Sequence, residues 1–169
     1  IEMINYSLAR KRFIGMIQTD ENNKLYNIGC VGKIHSFNET YDGRYLISLQ
    51  GTNCFKINKE LDPLHGFRLV DVKILESLND NFEFSKDQRI ELLEKYKKYI
   101  NIKKINLDLK EIETIDTLQI IKFIAMVSPF KDIDKQALLE TINLRDFYGK
   151  LDSILDLEIA GEIASDTIN

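Results

Sequence analysis

Ile28-Gly29-Cys30-Val31-Gly32-Lys33-Ile34-His35-Ser36-Phe37-Asn38-Glu39-Thr40-Tyr41-Asp42-Gly43-Arg44-Tyr45-Leu46-Ile47-Ser48-Leu49-Gln50-Gly51-Thr52-Asn53-Cys54-Phe55-Lys56-Ile57 decides the fold of this chain. Two runs rich in β-branched and aromatic residues flank the pair Asp42-Gly43, the strongest short-range hairpin signal. Gly43 accepts the positive φ of a tight reversal, and Asp42 bonds readily to nearby backbone. Along the second run Tyr45, Ile47 and Leu49 fall on one face, and Leu46, Ser48 and Gln50 on the other. Gly51 interrupts the pleat and predicts a bulge before Cys54-Phe55-Lys56-Ile57 continues. Long bent hairpins of this kind build small barrels rather than flat sheets.

Working outward, Ile1 to Ala9 reads as an amphipathic helix with Ile1, Ile4 and Leu8 on one side. The short basic run Arg10-Lys11-Arg12 at its end complements the helix dipole. Phe13 to Ile17 is apolar throughout and predicts a strand covered on both faces. Thr19 to Lys24 is a polar turn. Asn58 to Gly66, with Pro63, reads as a connecting loop. Phe67 to Glu76 alternates, with Val70, Val72 and Ile74 on one face and Asp71 and Lys73 on the other.

From Ser85 the hydrophobic period changes from 2 to 3.6, which sets a division into a β-rich part, 1–84, and a helical part, 85–169. Ser85 and Gln88 form a capping box. Ile90, Leu93, Tyr96 or Lys97, and Ile100 mark the first helix face. Asp116 to Val127 is apolar almost all round and predicts a buried central helix, ended by Pro129 through its effect on Ser128. Asp132 or Asp134 caps the helix that holds Lys135-Gln136. Leu144, Phe147, Leu151, Ile154 and Leu155 define the last helix face, with Gly161 as terminator. A β-barrel-like half followed by a helical bundle makes an α+β protein.

Composition bounds the function. At 169 residues and 44% hydrophobic, the chain is long enough for one core or two small adjoining ones. No apolar run approaches the roughly 20 residues of a membrane span, and no basic-then-apolar leader opens the chain. Cys30 and Cys54 make no disulfide framework and read as buried reduced thiols in strands, which fits a cytoplasmic protein. The charge is 23 Lys+Arg against 27 Asp+Glu, net −4. Residues 1–76 hold 10 basic and 9 acidic side chains (+1), and 77–169 hold 13 and 18 (−5). Neither part supplies the basic field that displaces counterions from nucleic acid.

Catalytic constellations are missing from the pattern. His35 and His65 have no ligand at metal spacing, and His35 reads as a strand surface residue. No nucleophile elbow, phosphate loop or paired-histidine zinc motif occurs. Cys54 with a histidine is the weakest option, because nothing in the sequence lowers its pKa. Glu111 and Glu113 lie in an acidic connector and read as solvated. No catalytic, cofactor or metal residues are assigned, and an enzyme is not expected. The aromatics around the hairpin tip, Phe37, Tyr41 and Tyr45, read equally as anchors for an extended peptide or as cross-strand packing partners.

The same residues carry a resemblance. The order Gly29-x-Val31-Gly32-x-Ile34, Phe37, then Asp42-Gly43-Arg44-Tyr45-Leu46-Ile47-x-Leu49-x-Gly51 and Phe55-x-Ile57 resembles the amino-terminal domain of Lon proteases. Pro129 to Glu140, with Lys135-Gln136-x-Leu138-Leu139-Glu140, is similar to a second motif of that family. Cys54 departs from it, standing where relatives often carry arginine. The resemblance implies a small barrel similar in architecture to PUA-type domains, without ATPase or peptidase parts. It implies a non-catalytic domain that binds exposed apolar segments of unfolded polypeptides, with a protease as a candidate partner and a homodimer as an open alternative. The rival it leaves is a PUA-like RNA-binding module. Relatives carry one or two strands ahead of the first helix, so a segment is expected before Ile1, without which a sheet edge lies open. Lys135-Gln136 reads as a tie between neighbouring segments rather than a partner contact.

Overall fold

The computed structural model describes residues 1–76, 82–110, 112–141 and 143–168. By its contacts the chain divides into two compact units, Ile1–Ser77 and Leu78–Asn169.

The first unit opens with helix α1, Glu2–Leu8. Strands β1 (Phe13–Met16), β2 (Ile28–Glu39), β3 (Tyr45–Leu64) and β4 (Phe67–Ile74) then form one antiparallel sheet in chain order. Sequential meandering follows from short reversals, since only antiparallel neighbours can be joined by tight turns. At the reversal between β2 and β3 Gly43 adopts φ 76° and donates to the Thr40 carbonyl. Asp42 is held by Thr40 Oγ1 and by Arg44 Nε at 2.7 Å, so the expected turn forms with a side-chain clasp around it. Those two hydrogen bonds, Arg44's first, hold the Asp42 carboxyl below the usual carboxylate range.

The bulge also forms where Gly51 predicts it. Val31 pairs with Asn53 while Gly32 pairs with Gly51, which leaves Thr52 as the extra residue. Its hydroxyl donates back to the Val31 carbonyl at 3.1 Å. Before the bulge, Tyr45, Ile47 and Leu49 are half-buried and Leu46, Ser48 and Gln50 exposed, the alternation read from sequence. Asp20 organises the polar turn by accepting from the Asn22 and Lys24 amides at 2.9 and 2.8 Å.

Three expectations for this unit are corrected. The segment 58–66 is not a loop. β3 runs through it to Leu64, and the reversal is confined to His65 and Gly66, both at positive φ. Pro63 is tolerated because the pairing of β3 with β4 shifts between Leu61 and Leu64, where a missing amide costs no ladder bond. β1 is not covered on both faces. It is an edge strand in which Ile14 is buried while Phe13 and Met16 are exposed, since an apolar run alone does not distinguish a central strand from an edge. Ile74 likewise ends β4 in solvent. Among the described residues the apolar cluster of the unit is small: Ile4, Ile14 and Ile34, with Leu8, Tyr45, Ile47 and Leu49 packed against them, while Phe55 is buried outside it.

The second unit is helical: α2 (Lys86–Ile102), a 3-10 turn (Ile112–Thr114), α3 (Thr117–Val127), α4 (Asp132–Leu139) and α5 (Leu144–Ile168). The capping box of Ser85 and Gln88 is present in both directions. α2 packs through Leu92, Tyr96, Tyr99 and Ile100, so Ile90, read as core, is instead exposed; the apolar stripe is phased by the tyrosines. Asp116 caps α3, and Ser128 before Pro129 turns to extended backbone, ending it. Ile120, Ile121 and Ile124 are fully buried, but Met126 and Val127 are exposed, so α3 is covered on one side rather than all round. Neither Asp132 nor Asp134 caps α4. Lys131 holds the cap position, and both carboxylates sit in the first turn, where they complement the dipole.

The predicted face of α5 is buried at Leu144, Phe147, Leu151, Ile154 and Leu155. Gly161 does not end it: the helix continues to Ile168, because a glycine costs only about 1 kcal/mol inside a helix. α2 and α5 run in the same sense, tied by Lys95 to Asp152 and Asp156 and by Lys103 to Glu158 and Glu162. Those last two carboxylates raise the Lys103 pKa. Tyr99 stacks on Tyr96, and burial pushes its phenol up to about 12. Glu113 pairs with Lys97 at 2.7 Å; Glu111 lies outside the described residues.

Candidate functional site

Two aromatic features of the sheet unit are candidate surfaces. The first is the hairpin tip. Tyr41 is fully exposed and Phe37 is 48% exposed. Tyr45 is half-buried, and its ring meets that of Phe37 edge-on at 6.2 Å. Phe37 and Tyr45 are thus diagonal neighbours on the β2–β3 ladder, where Phe37 pairs with Ile47 and Tyr45 with Glu39, and Tyr41 lies exposed at the turn.

The second surface was not legible as a site in the sequence. It is a cleft of about 520 Å³ whose lining comes from α1, β1, β2, β3 and β4 together. Phe13, Val31, Phe55, Phe67 and Leu69 are among its apolar lining residues, with Arg68 as the charged member. The rolled sheet is what creates it. β1 and β4 are the two edges of the sheet, each paired on one side, and both contribute to the same cleft. α1 bridges them: Ser7 Oγ donates to the Phe13 carbonyl at 3.0 Å, and the Tyr6 ring meets that of Phe67 at 5.4 Å.

Phe55 is buried beside the cleft, and glycines make room for it. A Cβ on Gly29 would lie 2.6 Å from the Phe55 ring and 2.6 Å from the Met16 carbonyl oxygen; one on Gly15 would meet the same ring at 3.3 Å. The signal for this cleft was thus present as Gly15, Gly29 and Phe55. It takes the strand pairing Gly29–Phe55 and Gly15–Val31 to bring those residues together. At one margin Arg10, Lys11 and Arg12 line a smaller depression with Tyr6 and Phe13, and the Arg10 guanidinium lies 3.4 Å over the Tyr6 ring. The helical unit has an open furrow of about 730 Å³ between α4 and α5, lined by Asp134, Glu140, Arg145, Asp146 and Lys150 among others. Ala137, Ile154 and Leu157 line it as well, so charged and apolar side chains share this furrow.

The residues considered for chemistry do not assemble into a catalytic group. His35 lies exposed on β2, and His65 is a turn residue. Among the described residues no three His, Cys, Asp or Glu side chains are placed to hold a metal ion. Among them, too, no helix is long and apolar enough to cross a membrane. Cys30 and Cys54 are half-buried rather than buried, and burial raises the pKa of both. Gln136 is buried and donates to Glu140 at the end of its own helix, while Lys135 reaches the Met126 carbonyl of α3 at 3.5 Å and so links α4 to α3.

An antiparallel sheet with an apolar cleft, followed in the chain by a helical unit, defines an α+β fold. More specifically, the chain belongs to the family of the ATP-dependent protease La (LON) substrate-binding domain, whose model matches residues 1–156. Among solved structures it is similar to a Lon N-terminal domain protein from Xanthomonas campestris, at 14% identity and a TM-score of 0.65, covering 92% of this chain and 81% of that one. It is also similar to the N-terminal domain of the Mycobacterium avium complex Lon protease, at 14% identity and a TM-score of 0.60, covering 90% and 82%. At such identity the likeness is one of fold. No curated protein sequence matches the chain.

Proposed function

We propose that this domain recognises polypeptides through exposed apolar segments, which it receives in extended form in the cleft of the sheet unit. The observation that carries the reading is the cleft itself: apolar side chains collected between two strand edges that each have one unpaired side. Such an arrangement offers main-chain partners to an added strand and pockets to its alternate side chains. Membership of a substrate-binding family supports a polypeptide as the ligand class. Phe37, Tyr41 and Tyr45 provide a second contact at the hairpin tip, with Tyr41 as its exposed anchor. A net charge of −4 is compatible with apolar recognition and gives no electrostatic advantage to a nucleic acid.

The test is binding of an unfolded, fluorescently labelled model polypeptide, with labelled RNA in parallel at physiological salt. The expected result is saturable polypeptide binding without RNA binding. Phe13→Ser with Leu69→Ser should weaken it about tenfold, in proportion to the lost apolar contact, and Tyr41→Ala by a few-fold. Binding to RNA alone, or polypeptide binding indifferent to both sets of substitutions, would overturn the proposal.

A further inference from the structure

Cys30 on β2 and Cys54 on β3 are direct cross-strand partners. The hydrogen-bond phase of the ladder shows which kind of pair they form. Ile57 N donates to the Asn27 carbonyl at 2.8 Å, and the register advances from there through Ile28–Lys56 and Gly29–Phe55 to Cys30–Cys54. Bonded and non-bonded pairs alternate along an antiparallel ladder, so Cys30–Cys54 is non-bonded. The other side of β3 agrees, because the Cys54 carbonyl accepts from Leu75 N at 2.8 Å and so points away from β2. Non-bonded pairs bring their Cα atoms to roughly 4.5 Å, with both side chains on the same face, within the roughly 4.4–6.8 Å span that a disulfide bridges. Both thiols are free and half-buried, accessible to a small oxidant.

From this geometry we infer that Cys30 and Cys54 are a reversible disulfide site that joins β2 to β3 next to the Gly29–Phe55 pair at the cleft. With a low-molecular-weight disulfide as oxidant, the thiolate of one cysteine attacks one sulfur and expels one thiol. The other cysteine, deprotonated in turn, attacks the protein sulfur of the mixed disulfide and expels the second. Two protein thiols become one disulfide, and one oxidant disulfide becomes two thiols. Burial raises both thiol pKa values, so the reaction is slow at neutral pH and accelerates as pH rises toward and beyond the ordinary thiol range. A cross-strand bond spanning a hairpin is the kind that is readily reduced again.

The experiment is treatment of the whole chain with oxidised glutathione, followed by intact mass and peptide mapping without reduction. The expected product has lost two hydrogens, contains a linked Cys30–Cys54 peptide, returns to the starting mass with dithiothreitol, and melts roughly 5 °C or more above the reduced form. Cys54→Ser should stop at a stable glutathione adduct on Cys30, and Cys30→Ser at one on Cys54. Stable adducts on both cysteines of the unsubstituted chain, disulfide-linked dimers in place of the internal bond, or no reaction with either thiol up to pH 9 would each overturn the inference.

Discussion

The two units of this chain are stabilised in different ways. In the helical unit sixteen buried apolar residues of α2 to α5 and the segments between them make one continuous cluster among the described residues, with Leu92, Tyr99, Ile120, Leu151 and Leu155 fully enclosed. In the sheet unit the corresponding cluster has three buried members, and several large apolar side chains, Phe13, Met16, Phe37 and Leu46 among them, remain exposed. A helix hides one stripe of its surface and so needs neighbours to bury it against. A long hairpin satisfies its backbone within the ladder and can leave a face uncovered. The helical unit therefore encloses a much larger apolar cluster than the sheet unit, although Ile90, Met126, Ile133 and Leu157 stay exposed on it.

The contrast is open to direct attack. Leu151→Ala empties a fully enclosed position of the helical cluster and should cost about 2–5 kcal/mol in denaturant unfolding. A loss below about 1 kcal/mol would mean that the cluster is looser than its burial implies. Gly29→Ala tests the sheet unit, where stability rests on close backbone approach instead of core volume. The added methyl would collide with the Met16 carbonyl and the Phe55 ring, and a cost of about 1–3 kcal/mol is expected. Hydrogen exchange read by mass spectrometry should place the faster exchange in β1, β2 and β3. Protection unchanged in those strands would contradict the packing described around Phe55.

Alkaline pH sharpens the comparison from the helical side. The folded-state pKa of Tyr99 is raised by burial to about 12, and that of Lys103 is raised by Glu158 and Glu162. A folded pKa above the unfolded one means that the native state holds its proton longer. The stabilisation is thus complete below the unfolded value of about 10 and drains as pH climbs through the folded values. Loss of helical circular dichroism should accompany the last phenolate ionisation seen by ultraviolet absorbance. Helix loss complete before pH 10 would rule out these two groups as its cause. The smallest expected effect is opposite in sign. Gly161 lies within α5, and a methyl added there would have no neighbour within 4 Å, so Gly161→Ala should stabilise the helical unit by about 0.5–1 kcal/mol in the same denaturant measurement.

Much of this molecule was decided locally and could be read directly. The turn at Asp42-Gly43, the bulge beyond Gly51, the Ser85–Gln88 box, the stop at Pro129 and the face of α5 each depend on residues within a few positions of one another. Backbone sterics and single hydrogen bonds settle them without reference to the rest of the chain. The α+β class and the family membership follow from those elements and their order. What sequence left undetermined was every question of which surface meets which. Phe13 to Met16 became an edge strand, Ile90 was passed over in favour of Leu92 and the tyrosines, and β3 ran straight through Pro63 because its partner shifted register there. The cleft belongs with these. Its walls come from residues up to about 70 positions apart, brought together by the curl of the sheet. Cys30 and Cys54 show the same division: each announces a strand thiol alone, and only the register between two strands, fixed by the turn and the bulge that separate them, makes them a pair.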